Sequence, residues 1–265
     1  MAGLCRFVAL SRVLYLTLNI AVFVSIFNLC SGYKPVIVVH GILDNPTMFT
    51  GLKDFIEEAH PKTNVTIIDL YDDIDSLLPL WQQVVNFSKV MRPIMQSAQD
   101  GIHLIGFSQD TEYLKWLFPN YLREELYKVC YKVFGQDVSV CNYWNDPHHH
   151  DLYLKFNSFL PVLNNQVNGS EEYKKNFIKL KNLVLIGGPD DGVITPWQSS
   201  HFGFYDSSEK VIEMTSQQVF KNDTFGLRTL SERGAITTYS IAGVEHTTWH
   251  KNLTVFNKAI KPWLT

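Results

Sequence analysis

Short uninterrupted apolar runs recur along the chain, and longer segments with helically spaced apolar positions lie between them. The clearest run, Val36 to Val39, consists entirely of β-branched residues, which is typical of a strand buried on both faces. The predicted strands are residues 36–39, 66–70, 102–105, 183–186 and 237–242, and the predicted helices are residues 48–59 and 77–98. This alternation predicts an α/β fold with a mostly parallel sheet.

Composition narrows the class of protein. The chain has 265 residues, of which 46% are hydrophobic and 13% aromatic, enough for one large core with appendages. The formal net charge is −3 and no long run of one sign occurs, so no nucleic-acid partner is expected. A small apolar or neutral substrate is compatible with this charge.

The first 32 residues differ from the rest. Arg6 and Arg12 precede an uncharged stretch that ends in small residues near Gly32, as in a cleaved secretory signal peptide. A membrane anchor is the alternative, but several polar residues dilute the apolar stretch. We therefore expect a signal peptide over residues 1–32, a mature domain over residues 33–265, and no stable membrane span after cleavage.

Two further features favour export. Five N-glycosylation sequons are present, at Asn64, Asn86, Asn168, Asn222 and Asn252. Removal of the signal would leave two cysteines, Cys130 and Cys141, which suit one disulfide in an oxidising compartment. The alternative is a pair of buried free thiols.

Candidate catalytic groups follow the predicted strands, where ligands of parallel sheets collect. Ser108, Asp191 and His246 occur in the chain order of an α/β-hydrolase triad. A serine needs an imidazole to accept its proton, and a carboxylate to hold that imidazole in the right tautomer. Each residue also has an ordinary structural explanation, as a strand end, a turn or a core histidine. Their joint order favours the triad.

The segment around Ser108 is most of a nucleophile elbow. The pattern Gly-x-Ser-x-Gly begins at Gly106, but Asp110 replaces the second glycine. Gly41, after the first strand, lets backbone N–H groups turn toward a neighbouring atom, as an oxyanion hole requires.

At this point the chain resembles the palmitoyl-protein thioesterases, lysosomal α/β-hydrolases that remove long-chain acyl groups from thioesters. The stretches that carry the resemblance are residues 40–42, 106–109, 113–119, 141–149, 183–205 and 242–263. The resemblance implies Ser108 as nucleophile, Asp191 as acid and His246 as base. It also implies an oxyanion hole from the N–H groups of Ile42 and Gln109, with no cofactor and no metal.

One departure from the family pattern stands out. Family members continue from the elbow through a helix and another strand, whereas here Gln109 and Asp110 run directly into the next matching block. A helix and strand need roughly 30 residues. We therefore expect one helix–strand unit to be absent, and residues 102–105 and 183–186 to lose a ladder neighbour.

Residues 111–176 form a predicted lid insertion, rich in aromatic side chains and suited to an acyl-chain groove. An ordinary packed cap is the alternative. His148, His149 and His150 suggest a metal site only weakly, because adjacent residues rarely point at one ion. His250 is a less favoured base than His246, since it lies a helical turn further from the strand end.

These observations predict a lysosomal, lumenal thioesterase that hydrolyses palmitoyl-CoA or S-palmitoylated protein and is sorted by glycan-dependent machinery. Two alternatives remain open. One is a catalytically impaired acyl-binding or interaction protein, and the other is a lipase-like ester hydrolase.

Overall fold

The computed structural model describes residues 32–108, 125–167 and 170–265. The chain divides into residues 1–33 and residues 34–265, and the following description concerns the second unit. Its strands are β1 (Val36–Val39), β2 (Val65–Ile67), β3 (His103–Gly106), β4 (Leu183–Gly187), β5 (Phe204–Tyr205), β6 (Val211–Ile212) and β7 (Ile236–Ser240). Each of the five predicted strands is present, with ends shifted by up to three residues.

The parallel strands form two sheet fragments. β1 lies between β2 and β3, with Val36 opposite both Val65 and His103. β4 pairs in parallel with β7, so that Leu183 lies opposite Ile236. The predicted α/β class with parallel pairing is therefore confirmed. A short antiparallel hairpin, β5–β6, was not predicted.

β3 and β4 do not pair with each other in the described part of the chain. The exposed edge is visible in β3, where Leu104 is 56% exposed although it lies in a strand next to β1. This break lies between the strands that the sequence predicted to lose a neighbour.

Helices connect the strands. The α-helices are Thr50–Ala59, Leu80–Ser97, Tyr127–Cys130, Ser139–Tyr143, His150–Phe156, Leu160–Leu163, Glu171–Phe177, Gln218–Lys221, Leu227–Glu232 and Leu253–Val255, which we label α1 to α10. The 3-10 helices are Pro46–Phe49, Asp73–Leu77, Val133–Asp137, Trp197–His201, Met214–Ser216, His246–Lys251 and Lys261–Trp263, and Phe256–Ile260 forms a π-helical turn.

Two long helices match the prediction closely. α1 buries Leu52 and Ile56, four residues apart on one face, and the chain leaves the helix just before Pro61. The predicted second helix began at Leu77, but α2 begins at Leu80 because Pro79 precedes it. Proline is unfavourable inside a helix but suits the start of one. A helix that contains Leu80 therefore begins at Pro79 or just after it.

The main core forms where α1 and the C-terminal segment cover β1. Val36 and Val38 pack with Phe49, Phe256 and Leu264, and each of these side chains is at least 92% buried. Burial of this kind contributes roughly 1.5–3 kcal/mol per large side chain. Ile105 and Phe107 pack against this core, so it holds the end of β3 next to Ser108 in place.

The described part of the predicted lid, residues 125–167 and 170–176, is helical and contains the Cys130–Cys141 disulfide. Residues 111–124 of that insertion lie outside the described residues. Gln136 is buried in the lid, and its side-chain amide donates to the carbonyls of Cys130 and Cys141. Asn142 links the lid to the body, since its Oδ1 accepts the Leu80 N–H at 2.8 Å.

Asn142→Ala should lower the free energy of unfolding by about 1–3 kcal/mol, because the Leu80 N–H and Gln136 would lose a buried partner. Asn176→Ala is the matched control: Asn176 is exposed, and we expect a change within about 0.5 kcal/mol. Urea denaturation measures both. Equal stabilities of the two variants would contradict the proposed link between lid and body.

Candidate functional site

Ser108 lies two residues after the end of β3, beside the turn that follows β1. The two turns approach so closely that a β-carbon on Gly41 would lie 1.8 Å from the Ser108 carbonyl oxygen. Only glycine fits there without moving backbone. His40 braces the same turn, because its ring nitrogens lie 3.0 Å from the Gly41 carbonyl and 3.1 Å from the Leu70 carbonyl.

His246 begins the 3-10 helix after β7 and touches both other predicted triad members. Its Nε2 lies 2.5 Å from Ser108 Oγ. Its Nδ1 lies 3.0 Å and 2.9 Å from the two carboxylate oxygens of Asp191. The His246 main-chain N–H also donates to the Asp191 carbonyl at 2.9 Å. The structure therefore brings Ser108, His246 and Asp191 together.

Asp191 is almost completely buried and accepts several hydrogen bonds. Its Oδ1 accepts from the N–H groups of Val193 and Ile194, and its Oδ2 accepts from Trp249 Nε1 at 2.7 Å. Burial alone would raise the pKa of this carboxyl, but the hydrogen bonds from His246, Ile194 and Trp249 outweigh it and lower the pKa. The ionised carboxylate favours a proton on Nδ1, which leaves Nε2 free to accept the Ser108 proton.

The predicted oxyanion donors are only partly described. The Ile42 N–H donates to the Ser108 carbonyl at 3.0 Å, so in this conformation it is engaged by the main chain of the turn at Ser108. Gln109 lies outside the described residues. The reason for the Ile42 contact is the close approach of the Gly41 turn to Ser108.

His250, the less favoured base, is buried among aromatic side chains. Its ring packs 4.6 Å from Phe49 and 5.0 Å from Phe107, between the core and the residue before the serine. Burial, followed by the nearby charges of Lys251 and His246, lowers the pKa of His250 to about 4. Above this pH the buried ring is neutral.

A cavity of about 730 Å³ opens beside the serine. Its polar groups include Ser108, His246 and Asp191. Most other walls are apolar, and they come from β3, from β4 and from the face of α2 that carries Leu80, Val84 and Phe87. Size and polarity both fall in the range of small-molecule sites.

The remaining predicted residues lie away from this cavity. His148 Nε2 lies 3.1 Å from Glu209, and His149 Nδ1 lies 3.1 Å from Asp146. No cluster of three or more side chains suited to a metal occurs among the described residues. Nor does any helix in that part of the chain have the length and apolarity to cross a bilayer.

The sequons differ in accessibility. Asn64 and Asn222 are exposed. Asn86 is half-buried and donates to the Tyr71 hydroxyl, and Asn252 accepts from the first N–H groups of α10. Asn168 lies outside the described residues. Glycosylation stays a prediction for all five.

Comparison with known proteins shows which family the chain resembles and over which residues. A family model described as palmitoyl protein thioesterase matches residues 35–116 and 110–246. Lysosomal thioesterase PPT2 of Rattus norvegicus is 49% identical over 268 residues, covering 88% of this chain and 89% of the relative. Lysosomal thioesterase PPT2 of Homo sapiens is 47% identical over 269 residues, covering 89% of each. The lysosomal thioesterase PPT2 homolog of Drosophila melanogaster is 34% identical over 266 residues, covering 88% of this chain and 92% of the relative.

The alignment with the rat relative also measures what this chain lacks. It spans 268 positions, whereas 88% of 265 residues is about 233, so about 35 aligned positions have no counterpart here. The family match consists of two ranges that overlap at residues 110–116, shortly after Ser108. The two matched ranges thus overlap in the segment that follows β3.

Some residues of the site were not foreseen from the sequence. Trp249 and Ile194 hold the Asp191 carboxylate, and no sequence motif marks either residue as its partner. For Trp249 the one available signal was its position three residues after His246, a helical turn further along the chain.

Trp249→Phe should raise the pKa of Asp191, because the carboxylate loses the donor that lies 2.7 Å from Oδ2 while an aromatic ring still fills the space. A carboxyl whose pKa is lowered by folding stabilises the protein above its unfolded pKa, so part of this contribution is lost in the variant. Carbon-13 NMR titration of the Asp191 carboxyl measures the change.

Trp263→Phe is the matched control, since Trp263 Nε1 donates to the Tyr239 hydroxyl instead. The Asp191 titration should not move in this variant. An Asp191 pKa that is the same in Trp249→Phe and in the unsubstituted protein would contradict the role assigned to the indole.

Proposed function

We propose that this chain, which belongs to the palmitoyl protein thioesterase family, hydrolyses long-chain acyl thioesters in the lysosome. Palmitoyl-CoA and S-palmitoylated proteins or peptides are the substrate class. The observation that carries the proposal is His246, which contacts Ser108 Oγ through one ring nitrogen and Asp191 through the other, beside an apolar cavity.

The reaction follows from this geometry. Ser108 Oγ attacks the thioester carbonyl carbon while its proton passes to His246 Nε2. The carbon–sulfur bond then breaks, the thiol leaves with the proton from His246, and the acyl group remains on the serine. Water attacks this acyl-serine as His246 accepts its proton, which releases the fatty acid and returns a proton to Ser108. Asp191 stabilises the imidazolium in both steps.

The acyl chain would occupy the apolar part of the cavity. Leu80, Val84 and Phe87 present one face of α2 to this space, opposite the strands. An uncharged wall of this kind favours a hydrocarbon chain over a polar substrate.

Stabilisation of the oxyanion that forms on the substrate carbonyl is the weaker part of the proposed mechanism. The N–H groups of Ile42 and Gln109 are the proposed oxyanion donors, but the Ile42 N–H is taken by the Ser108 carbonyl. Loss of one such donor typically lowers kcat by about 10²–10³. This contact favours a second candidate function, an acyl-binding protein with impaired catalysis.

Sorting to the lysosome would depend on glycans at the exposed sequons. Asn64 and Asn222 are the sites most open to modification among the described residues. Glycan-dependent sorting machinery is therefore the proposed partner.

Ser108→Ala, His246→Ala and Asp191→Asn should each lower palmitoyl-CoA hydrolysis by at least about a thousandfold, because triad members act as a unit. Ser208→Ala is the control, since Ser208 is exposed in the β5–β6 turn and should keep the unsubstituted rate.

Release of free thiol from palmitoyl-CoA by the purified secreted chain measures all four variants. Undiminished hydrolysis by Ser108→Ala would contradict the serine mechanism. Palmitate binding without hydrolysis in the unsubstituted chain would favour the acyl-binding candidate. Faster cleavage of an oxygen ester than of the matching thioester would instead support a lipase-like enzyme.

Insertion of the about 35 unmatched residues of the rat relative after Gln109 should raise both the thermal unfolding midpoint and the hydrolysis rate. An interior strand supplies ladder hydrogen bonds and covers apolar sheet surface, which is a large share of the roughly 5–15 kcal/mol that stabilises a domain. A scrambled insertion of equal length is the control. Equal midpoints and rates for the chain with and without the native insertion would contradict this expectation.

A further inference from the structure

Four rings meet next to Ser108, and we call them the aromatic cluster: Phe49, Phe107, His246 and His250. Phe107 directly precedes Ser108 in the chain. Its ring centroid lies 5.4 Å from that of His246 and 5.0 Å from that of His250. The third neighbour is Phe49, also at 5.4 Å. The ring before the serine is therefore held by the base and by a second histidine of the same 3-10 helix.

His250 is the member of this cluster to which the triad assigns no role. It is 4% exposed, and its ring also packs 4.6 Å from Phe49. Both ring nitrogens are shielded from solvent, and neither makes a hydrogen bond to another described residue. A buried polar group without a partner costs free energy that a hydrocarbon ring would not. Packing alone therefore does not explain a histidine at this position.

A proton on His250 would place a charge inside the aromatic cluster. Burial, followed by the nearby charges of Lys251 and His246, lowers the pKa of His250 to about 4, and the Met48 carbonyl opposes this shift only in part. Lys251 and a protonated His246 repel a charged ring. The ring is therefore neutral above about pH 4 and, once charged, is favoured to leave the cluster.

The elements around His250 do not offset this charge. The 3-10 helix Pro46–Phe49 and Phe107 carry no ionisable side chain. The carboxyls of Asp44 and Asp191 act on His246. Other ionisable side chains come from α1 and from the turn Phe256–Ile260, and all are at least partly exposed to solvent: Lys53, Asp54, Glu57, Glu58 and Lys258.

We propose that His250 is a positioning residue for the acyl transfer, an inference that rests on the function proposed above. Its neutral ring holds Phe107, and Phe107 holds Ser108 where Oγ lies 2.5 Å from His246 Nε2. A charged ring releases Phe107 and with it the serine. Misplacement of reacting groups by about 1 Å can lower a rate by about 10²-fold, so this packing contact affects kcat.

Two variants separate the ring of His250 from its nitrogens. His250→Ala removes the ring, so kcat for palmitoyl-CoA at neutral pH should fall at least about tenfold while KM stays within about threefold. His250→Phe keeps an aromatic ring, and the adjoining cavity gives the larger ring room. Its kcat at neutral pH should stay within about threefold of the unsubstituted rate.

His201→Ala is the matched control. His201 is a second buried histidine whose pKa is lowered by burial, and its ring packs 5.5 Å from Trp197. Truncation there removes a comparable buried ring from a different part of the core. Both kcat and KM should stay within about threefold of the unsubstituted values.

Hydrogen exchange tests the positioning without any turnover. The Phe107 N–H donates to the Val39 carbonyl at 3.0 Å, and the His103 N–H, at the other end of β3, donates to the Pro35 carbonyl at 2.9 Å. Protection of the Phe107 amide relative to that of His103 should fall at least about tenfold in His250→Ala. In His250→Phe the same ratio should stay within about twofold of the unsubstituted value.

The protection ratio should also depend on pH in the unsubstituted chain. Between about pH 5 and about pH 3.5 the ring of His250 changes from mostly neutral to mostly charged. The ratio should then fall at least about threefold, because the charged ring no longer holds Phe107. His250→Phe should show no such fall, since a phenyl ring does not titrate. This comparison decides the matter even where His250→Ala does not fold.

Four results would overturn the proposal. They are an unchanged protection ratio and kcat in His250→Ala, a loss of kcat in His250→Phe as large as in His250→Ala, an equal loss in His201→Ala, and a protection ratio in the unsubstituted chain that does not change with pH. Failure of the unsubstituted chain to hydrolyse palmitoyl-CoA would refute the proposed function instead. The exchange ratios would still decide whether His250 positions Phe107.

Discussion

The contact of His246 with both Ser108 and Asp191 is the constraint on which the rest of this molecule depends. Ser108 ends the fragment of β2, β1 and β3, whereas Asp191 follows β4 in the other fragment. No ladder between β3 and β4 sets their relative position in the described chain. An imidazole with partners at 2.5 Å and 2.9 Å therefore connects the two fragments at their carboxyl ends.

Apolar packing also holds the two sheet fragments together. Phe107 and Ile260 belong to the packing around β1 and also to the cluster of Val244, Trp249 and Val255. The C-terminal segment thus covers both sheet fragments, and its last residue accepts the Lys34 N–H at 2.8 Å. Burial of these side chains replaces part of what strand pairing supplies in a continuous sheet.

Strand positions were predictable because their signal is local. Val36 to Val39 is apolar without interruption, and the carboxyl ends of such runs located Ser108, Asp191 and His246. The residue order of the triad was enough to predict that these three side chains meet. The Cys130–Cys141 pairing followed from the count of cysteines that remain after signal removal.

Other features depend on tertiary contacts that no local pattern encodes. The β5–β6 hairpin has two residues in each strand, too few for an alternation to appear. The Asn142 contact with Leu80 joins residues 62 positions apart. The engagement of the Ile42 N–H depends on how closely two turns approach, a distance that sequence spacing does not report.

That last contact separates two requirements of acyl transfer. Positioning of the nucleophile needs the contact of His246 with Ser108, which is present. Stabilisation of the oxyanion needs a donor aimed at the substrate, and the Ser108 carbonyl competes for the Ile42 N–H. The unpaired edge of β3 and the engaged Ile42 N–H thus lie on either side of Ser108, whereas the contacts of His246 with Ser108 and Asp191 are in place.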